Sequence, residues 1–109
     1  MTTYTPDRWV VLDITHKGNT VRKVLGGWVG GYAKSDTWRL NSGVTEVKDE
    51  GDFYSFSGSS GSVYKCWKGS EGMTSLSASI YASFVTQAAD SNDEWTVELV
   101  TPFKIEQDV

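Results

Sequence analysis

The sequence predicts a mainly β (α+β) protein: a small curved antiparallel sheet, barrel-like or sandwich-like, of about six or seven short strands with one helix near 75–90. Three observations carry this reading. Short runs rich in β-branched and aromatic residues recur down the chain, and turn residues interrupt them about every 8 to 12 positions. One alanine-containing stretch towards the C-terminal end carries helical spacing instead. A length of 109 residues suits a single domain, with 1–7 as an arm and 103–109 as a tail, and 39% hydrophobic and 13% aromatic residues suffice for a core.

After the polar arm, Arg8 to Thr15 (RWVVLDIT) sets Val10, Leu12 and Ile14 against Trp9, Val11 and Asp13, the alternation of a strand. His16-Lys17-Gly18-Asn19 supplies turn chemistry, so Thr20 to Leu25 returns as the second arm of a hairpin. Val24 to Gly43 (VLGGWVGGYAKSDTWRLNSG) follows, and the rest is organised around it. Gly26-Gly27 and Gly30-Gly31 bracket Trp28 and Val29, and glycine inside a strand pattern marks a bulge, a bend, or close approach by another backbone or a ligand.

Thr37 to Asn41 makes a short third strand, closed by Ser42-Gly43, and Val44 to Lys48 makes a fourth. Asp49-Glu50-Gly51-Asp52 is a turn with glycine at a left-handed position, Phe53 to Ser57 a fifth strand, and Val63 to Lys68 a sixth beyond the Ser57–Ser62 break. Residues 74–90 carry two periods at once. Leu76, Ile80, Phe84 and Ala88 fall four apart, while Leu76, Ala78, Ile80, Ala82 and Phe84 also alternate with polar or tyrosine positions. Length, alanines and the lack of a turn residue before Asp90 favour a helix capped by Thr74 or Ser75. Trp95 to Thr101 gives a last strand, and Pro102 opens a tail in which Phe103 and Ile105 can still pack and which frays from Glu106.

Charge and cysteine content exclude several functions. The net charge is −4, and the halves differ: residues 1–50 hold seven Lys and Arg against six Asp and Glu, or +1, whereas 51–109 hold three against eight, or −5. That argues against nucleic acid, although Arg22, Lys23, Lys34 and Arg39 do lie near Trp28, Tyr32 and Trp38. One cysteine, Cys66, permits no internal disulfide and no cysteine-rich zinc site. With no apolar run long enough for a bilayer and no basic, apolar leader in MTTYTPDRW, the expectation is a soluble cytoplasmic protein that does not engage membranes.

Catalytic chemistry is sought and not found. The lone His16 reads as a solvated turn residue and Cys66 as a packed core thiol with Lys65 on the opposite strand face. The serine-rich turn lacks the G-x-S-x-G spacing and the phosphate-loop lysine, so its amides could at most cradle an anion. Neither Asp49-Glu50-Asp52 nor Asp90-Asn92-Asp93-Glu94 has the ligand alternation and glycine of a calcium loop. We therefore expect a non-enzyme without metal or cofactor.

The runs GGWVGGYAKSDTWRLNSGV and FSGSSGSVYKCWKGSEGM resemble segments of small uncharacterised accessory proteins encoded by bacteriophages, over roughly residues 8 to 85. The resemblance implies a setting, a compact protein made in an infected bacterium and placed in its cytoplasm. It implies no functional residues.

Three readings of function follow. The first is binding to a host or phage protein, possible inhibition or modulation of a host factor included, with Trp28, Tyr32, Trp38 and Arg39 as anchors. Trp and Tyr offer large contact area with few rotors to freeze. The plainer account of the same residues is a bent sheet corner with aromatics packed over glycines. The second reading is a small anionic or nucleotide-like ligand held by Ser57, Ser59, Ser60 and Arg39. The third is a homo-oligomeric structural or virion component whose apolar edge strands pair between copies.

Overall fold

The computed structural model describes residues 2–30 and 35–108. Among these residues eight strands and two α-helices are formed, with a single 3-10 turn at Lys68–Ser70, in the order β1 (Thr3–Tyr4), β2 (Arg8–His16), β3 (Asn19–Trp28), β4 (Thr37–Leu40), β5 (Val44–Asp49), β6 (Phe53–Gly58), β7 (Val63–Trp67), α1 (Ser75–Ala89), β8 (Trp95–Val100) and α2 (Pro102–Asp108). The strands make two four-stranded sheets, β1-β7-β6-β5 and β4-β3-β2-β8, antiparallel except where β1 lies parallel to β7. The expected mainly β architecture is present, as a two-sheet sandwich with α1 on the outer face of the second sheet.

Local chemistry sets the hairpins. Lys17 and Gly18 both have positive φ, at 50° and 83°, which is the two-residue turn whose twist matches its strands, and β2 and β3 pair from His16↔Asn19 to Arg8↔Gly27. Gly51 takes φ 93°, in the left-handed conformation expected of it, and its N–H bonds Asp49 Oδ1 at 2.9 Å. A bulge between Val44 and Glu46 inserts Thr45, which donates to the Ser57 carbonyl.

Alternation on β2 feeds two cores. Trp9 and Val11 face the first sheet and meet Val24, Tyr54, Phe56, Tyr64, Cys66, Val100 and Ile105. Val10 and Leu12 face the other way and, with Leu25, pack under Ile80, Tyr81 and Phe84 of α1. Trp9 is 1% exposed, and its indole N–H finds the Trp67 carbonyl at 2.7 Å. Burying so large a ring with its one donor satisfied anchors the sheet-to-sheet core.

Three segments differ from the sequence expectation. The arm at 1–7 contributes β1, Thr3↔Val63 and Tyr4↔Tyr64, and Pro6 is buried. The tail is a helix: Thr101 caps it by accepting from Lys104 N–H, Pro102 occupies its first position, and Ile105 is 1% exposed. The paired glycines at 26–27 do not bend the chain but sit in regular ladder, opposite Trp9 and Arg8 on one side and Arg39 and Trp38 on the other. Close approach explains them. A Cβ on Gly26 would lie 3.0 Å from Pro6 Cβ, and one on Gly27 would lie 2.9 Å from Thr74 Oγ1 and Cγ2. Gly27 is where the start of α1 rests on the sheet, held by a capping box in which Thr74 Oγ1 accepts from Ser77 N–H and Ser77 Oγ from Thr74 N–H.

Candidate functional site

Of the four anchors expected at the glycine-rich stretch, the three described, Trp28, Trp38 and Arg39, do not form one surface. Trp28 pairs with Thr37, and Trp38 with Gly27, so alternation sends the two indoles to opposite faces of the sheet. Trp28 is half-buried, donates to the Thr5 carbonyl at 3.1 Å and meets Tyr4 edge-on at 6.3 Å. Arg39 shares that side, its guanidinium 4.5 Å from the centre of the Tyr4 ring. Tyr32 lies outside the described residues.

Trp38 is on the face that carries α1, is 40% exposed and meets Phe84 edge-on at 6.4 Å. Beyond Phe84, a cleft of about 450 Å³ lies between α1 and the sheet, lined by Ile14, Leu40 and Val97 of the strands and by Phe84, Ala88 and Trp95. Trp95 closes it, 43% exposed and stacked on His16 with ring centroids 3.8 Å apart and planes 10° from parallel. A second apolar hollow of about 300 Å³ lies across Trp95, bounded by Ile14, His16 and Val21. Trp38, Phe84, the cleft, Trp95 and Val21 therefore form an apolar band along the helix-bearing face.

The polar groups near the cleft are mostly spent. Ser91 Oγ donates to the Ala88 carbonyl at 2.6 Å and accepts from Trp95 N–H at 3.0 Å. This hydroxyl ties the end of α1 to the start of β8 and fixes where Trp95 stands. His16 is a strand residue with its ring committed to stacking. The cleft can thus take up apolar side chains by burial and stacking, and its lining presents no nucleophile paired with a base.

The other sequence candidates lie elsewhere. Ser59 and Ser60 bond Ser42: Ser59 Oγ donates to Ser42 Oγ at 3.0 Å, and Ser42 Oγ accepts from Ser60 N–H at 3.0 Å. These serines lock the β6–β7 turn to the β4–β5 connection. Ser57 alternates with buried Phe56 and so faces outward, while Arg39 is on the other sheet over Tyr4. The four do not converge. Asn41, 4% exposed, extends the β3 ladder by accepting from Val24 N–H at 2.9 Å, and its Nδ2 has no hydrogen-bond partner among the described residues. Cys66 is fully buried in the sheet-to-sheet core, where burial pushes its thiol pKa up, and the second sheet separates it from His16.

A separate, polar cleft of about 560 Å³ opens between the sheets at Asp13, Thr20, Arg22 and Glu46. Arg22 and Asp13 face each other across the β2–β3 ladder and bond through Nε–Oδ1 at 2.8 Å and Nη2–Oδ2 at 3.1 Å. Lys104 Nζ reaches the same carboxylate at 3.7 Å. Among the described residues no group of three or more His, Cys, Asp or Glu could hold a metal ion, and no helix is long and apolar enough to cross a membrane.

Sequence reasoning missed Ile14, Phe84, Trp95 and Val97 as site residues. The signal present was Trp95, Val97 and Leu99 alternating on one face; what joins them to Ile14 and Phe84 is strand and helix pairing remote in sequence. No known protein family matches this chain, and no curated protein or solved structure is significantly similar to it.

Proposed function

We propose that this protein acts by non-enzymatic binding to a protein partner, through the apolar band of the helix-bearing face. One observation carries the reading: Trp95 walls a ready-formed apolar cleft and Trp38 packs against its Phe84 wall, each indole at least 40% exposed. Ring surface left in water beside a concave apolar floor is the composition of a binding hot spot, where a partner's aliphatic or aromatic side chain fills the cleft and the indoles exclude water around it. Within the setting that the phage resemblance suggests, the partner is a host or phage protein. Trp28 and Arg39 then act as supports for the strand that presents Trp38.

The test is affinity capture from bacterial lysate with the unaltered protein, Trp38→Ala and Trp95→Ala, followed by calorimetry on the recovered partner. Each substitution is expected to weaken binding by about 30-fold, the effect of losing roughly 2 kcal/mol at a hot spot. Equal recovery and equal affinity in all three proteins would remove the proposal.

A further inference from the structure

Four strands stand at sheet edges: β1 and β5 in one sheet, β4 and β8 in the other. An edge shows unpaired N–H and C=O groups that another strand can take up, and proteins blunt such edges by brevity, charge or bulges. Three of the four are blunted. β1 has two residues and β4 four, while β5 has its bulge and the charges of Glu46, Lys48 and Asp49. β8 has six residues, WTVELV, with no bulge, no proline and a single charge at Glu98. Two of its side chains, Trp95 and Leu99, are 43% and 46% exposed.

The hydrogen-bond parity of β8 follows from its start. Lys17 N–H donates to the Glu94 carbonyl, and the β2–β8 register then runs unbroken from His16↔Trp95 to Val11↔Val100. Bonded pairs alternate along an antiparallel ladder, so Thr96, Glu98 and Val100 turn their backbone groups towards β2, and Trp95, Val97 and Leu99 turn theirs outward. Ser91 Oγ takes the Trp95 N–H. Val97 and Leu99 present theirs at the edge.

We infer that β8 is the contact between two copies of this chain, pairing antiparallel with β8 of the second copy about a two-fold axis at Val97. The choice of occupant comes from self-complementarity. With the axis at Val97, the two Val97 residues exchange N–H···O=C bonds, Trp95 lies opposite Leu99 of the second copy, and Thr96 lies opposite Glu98. The exposed indole and the exposed leucine thus cover each other, and no like charges face. Moving the axis to Glu98 sets two carboxylates opposite at a non-hydrogen-bonded pair, where side chains stand closest. Moving it to Thr96 sets Leu99 against Asp93. The Val97 register joins the two β4-β3-β2-β8 sheets into one of eight strands, with both α1 helices on the same face.

Sedimentation equilibrium of the full chain from about 1 to about 500 μM tests this. The unaltered protein is expected to dimerise within that range. Thr96→Glu, an exposed position, sets glutamate opposite Glu98 twice about the axis and raises the dimer Kd by about tenfold. Adding Glu98→Lys makes both pairs attractive and restores the dimer. Circular dichroism checks that each variant keeps the fold, and Trp38→Ala, which touches the partner cleft alone, is expected to leave the dimer intact, whereas Trp95 belongs to both contacts. A monomer throughout the range, a dimer indifferent to Thr96→Glu, or no recovery with the second substitution would overturn the inference.

Discussion

Gly27 owes its identity to what sits on top of it. A methyl at this position would enter the space of Thr74, lying 2.9 Å from both its Cγ2 and its Oγ1, the latter held by the Ser77 N–H. Gly27→Ala is therefore expected to cost about 1–3 kcal/mol as an overpacking change, read as a lower urea midpoint, by forcing the first turn of α1 off the sheet. Gly26→Ala should cost less, because its nearest neighbour is Pro6 Cβ at 3.0 Å, a contact relieved by a shift of a few tenths of an ångström. Equal losses at the two positions would contradict this account. The glycine pair was legible as a place of unusual backbone demand, but its reason was not. Thr74 and Pro6 are distant from it in the chain, and only the fold brings them there.

At the scale of elements, regular alternation was the readable signal. β2, β5, β6 and β7 lie within a residue or so of where period-two patterning put them, and α1 resolved its double periodicity as a helix because Thr74 and Ser77 cap it reciprocally. Elements held by distant partners were not readable: β1 is two residues long and exists through β7, with Thr3 opposite Val63. α2 carried a local signature in Thr101-Pro102, too short to weigh against the tail composition that follows. Its hold on the molecule is Ile105 in the sheet-to-sheet core, aided by Tyr54 Oη donating to Glu106 at 2.8 Å. Ile105→Ala should destabilise the whole protein by about 2–5 kcal/mol, measurable by chemical denaturation, rather than merely fray the end. The candidate site failed to show in the sequence for a related reason. Trp28 and Trp38 look adjacent along the chain, yet the β3–β4 register sends them to opposite faces, while Trp95 joins Phe84 only through the packing of α1.

For the molecule as a whole, the sheet-to-sheet core encloses ionisable groups that must stay protonated. Burial pushes Tyr64 up to about 12, and pushes Tyr54 and Cys66 up as well, with Glu106 adding to the shift at Tyr54. The unfolded chain releases these protons at lower pH than the native state, so stability is full below the ordinary thiol and phenol values and falls as pH rises through them towards 12. Urea midpoints are expected to hold to about pH 8 and to drop steeply by about pH 11, with Tyr64→Phe showing a shallower decline; a flat profile would refute the assignment. Both sheets are closed by partners from far along the chain: β2 needs Trp95–Val100 at its side, and β1 needs Val63 and Tyr64. Synthesis proceeds from the N-terminal end, so a nascent polypeptide carries an unmated first strand until Val63 and Tyr64 have left the ribosome, and an open-sided β2–β3 hairpin until residue 100 has. The second sheet is therefore the later of the two to be completed.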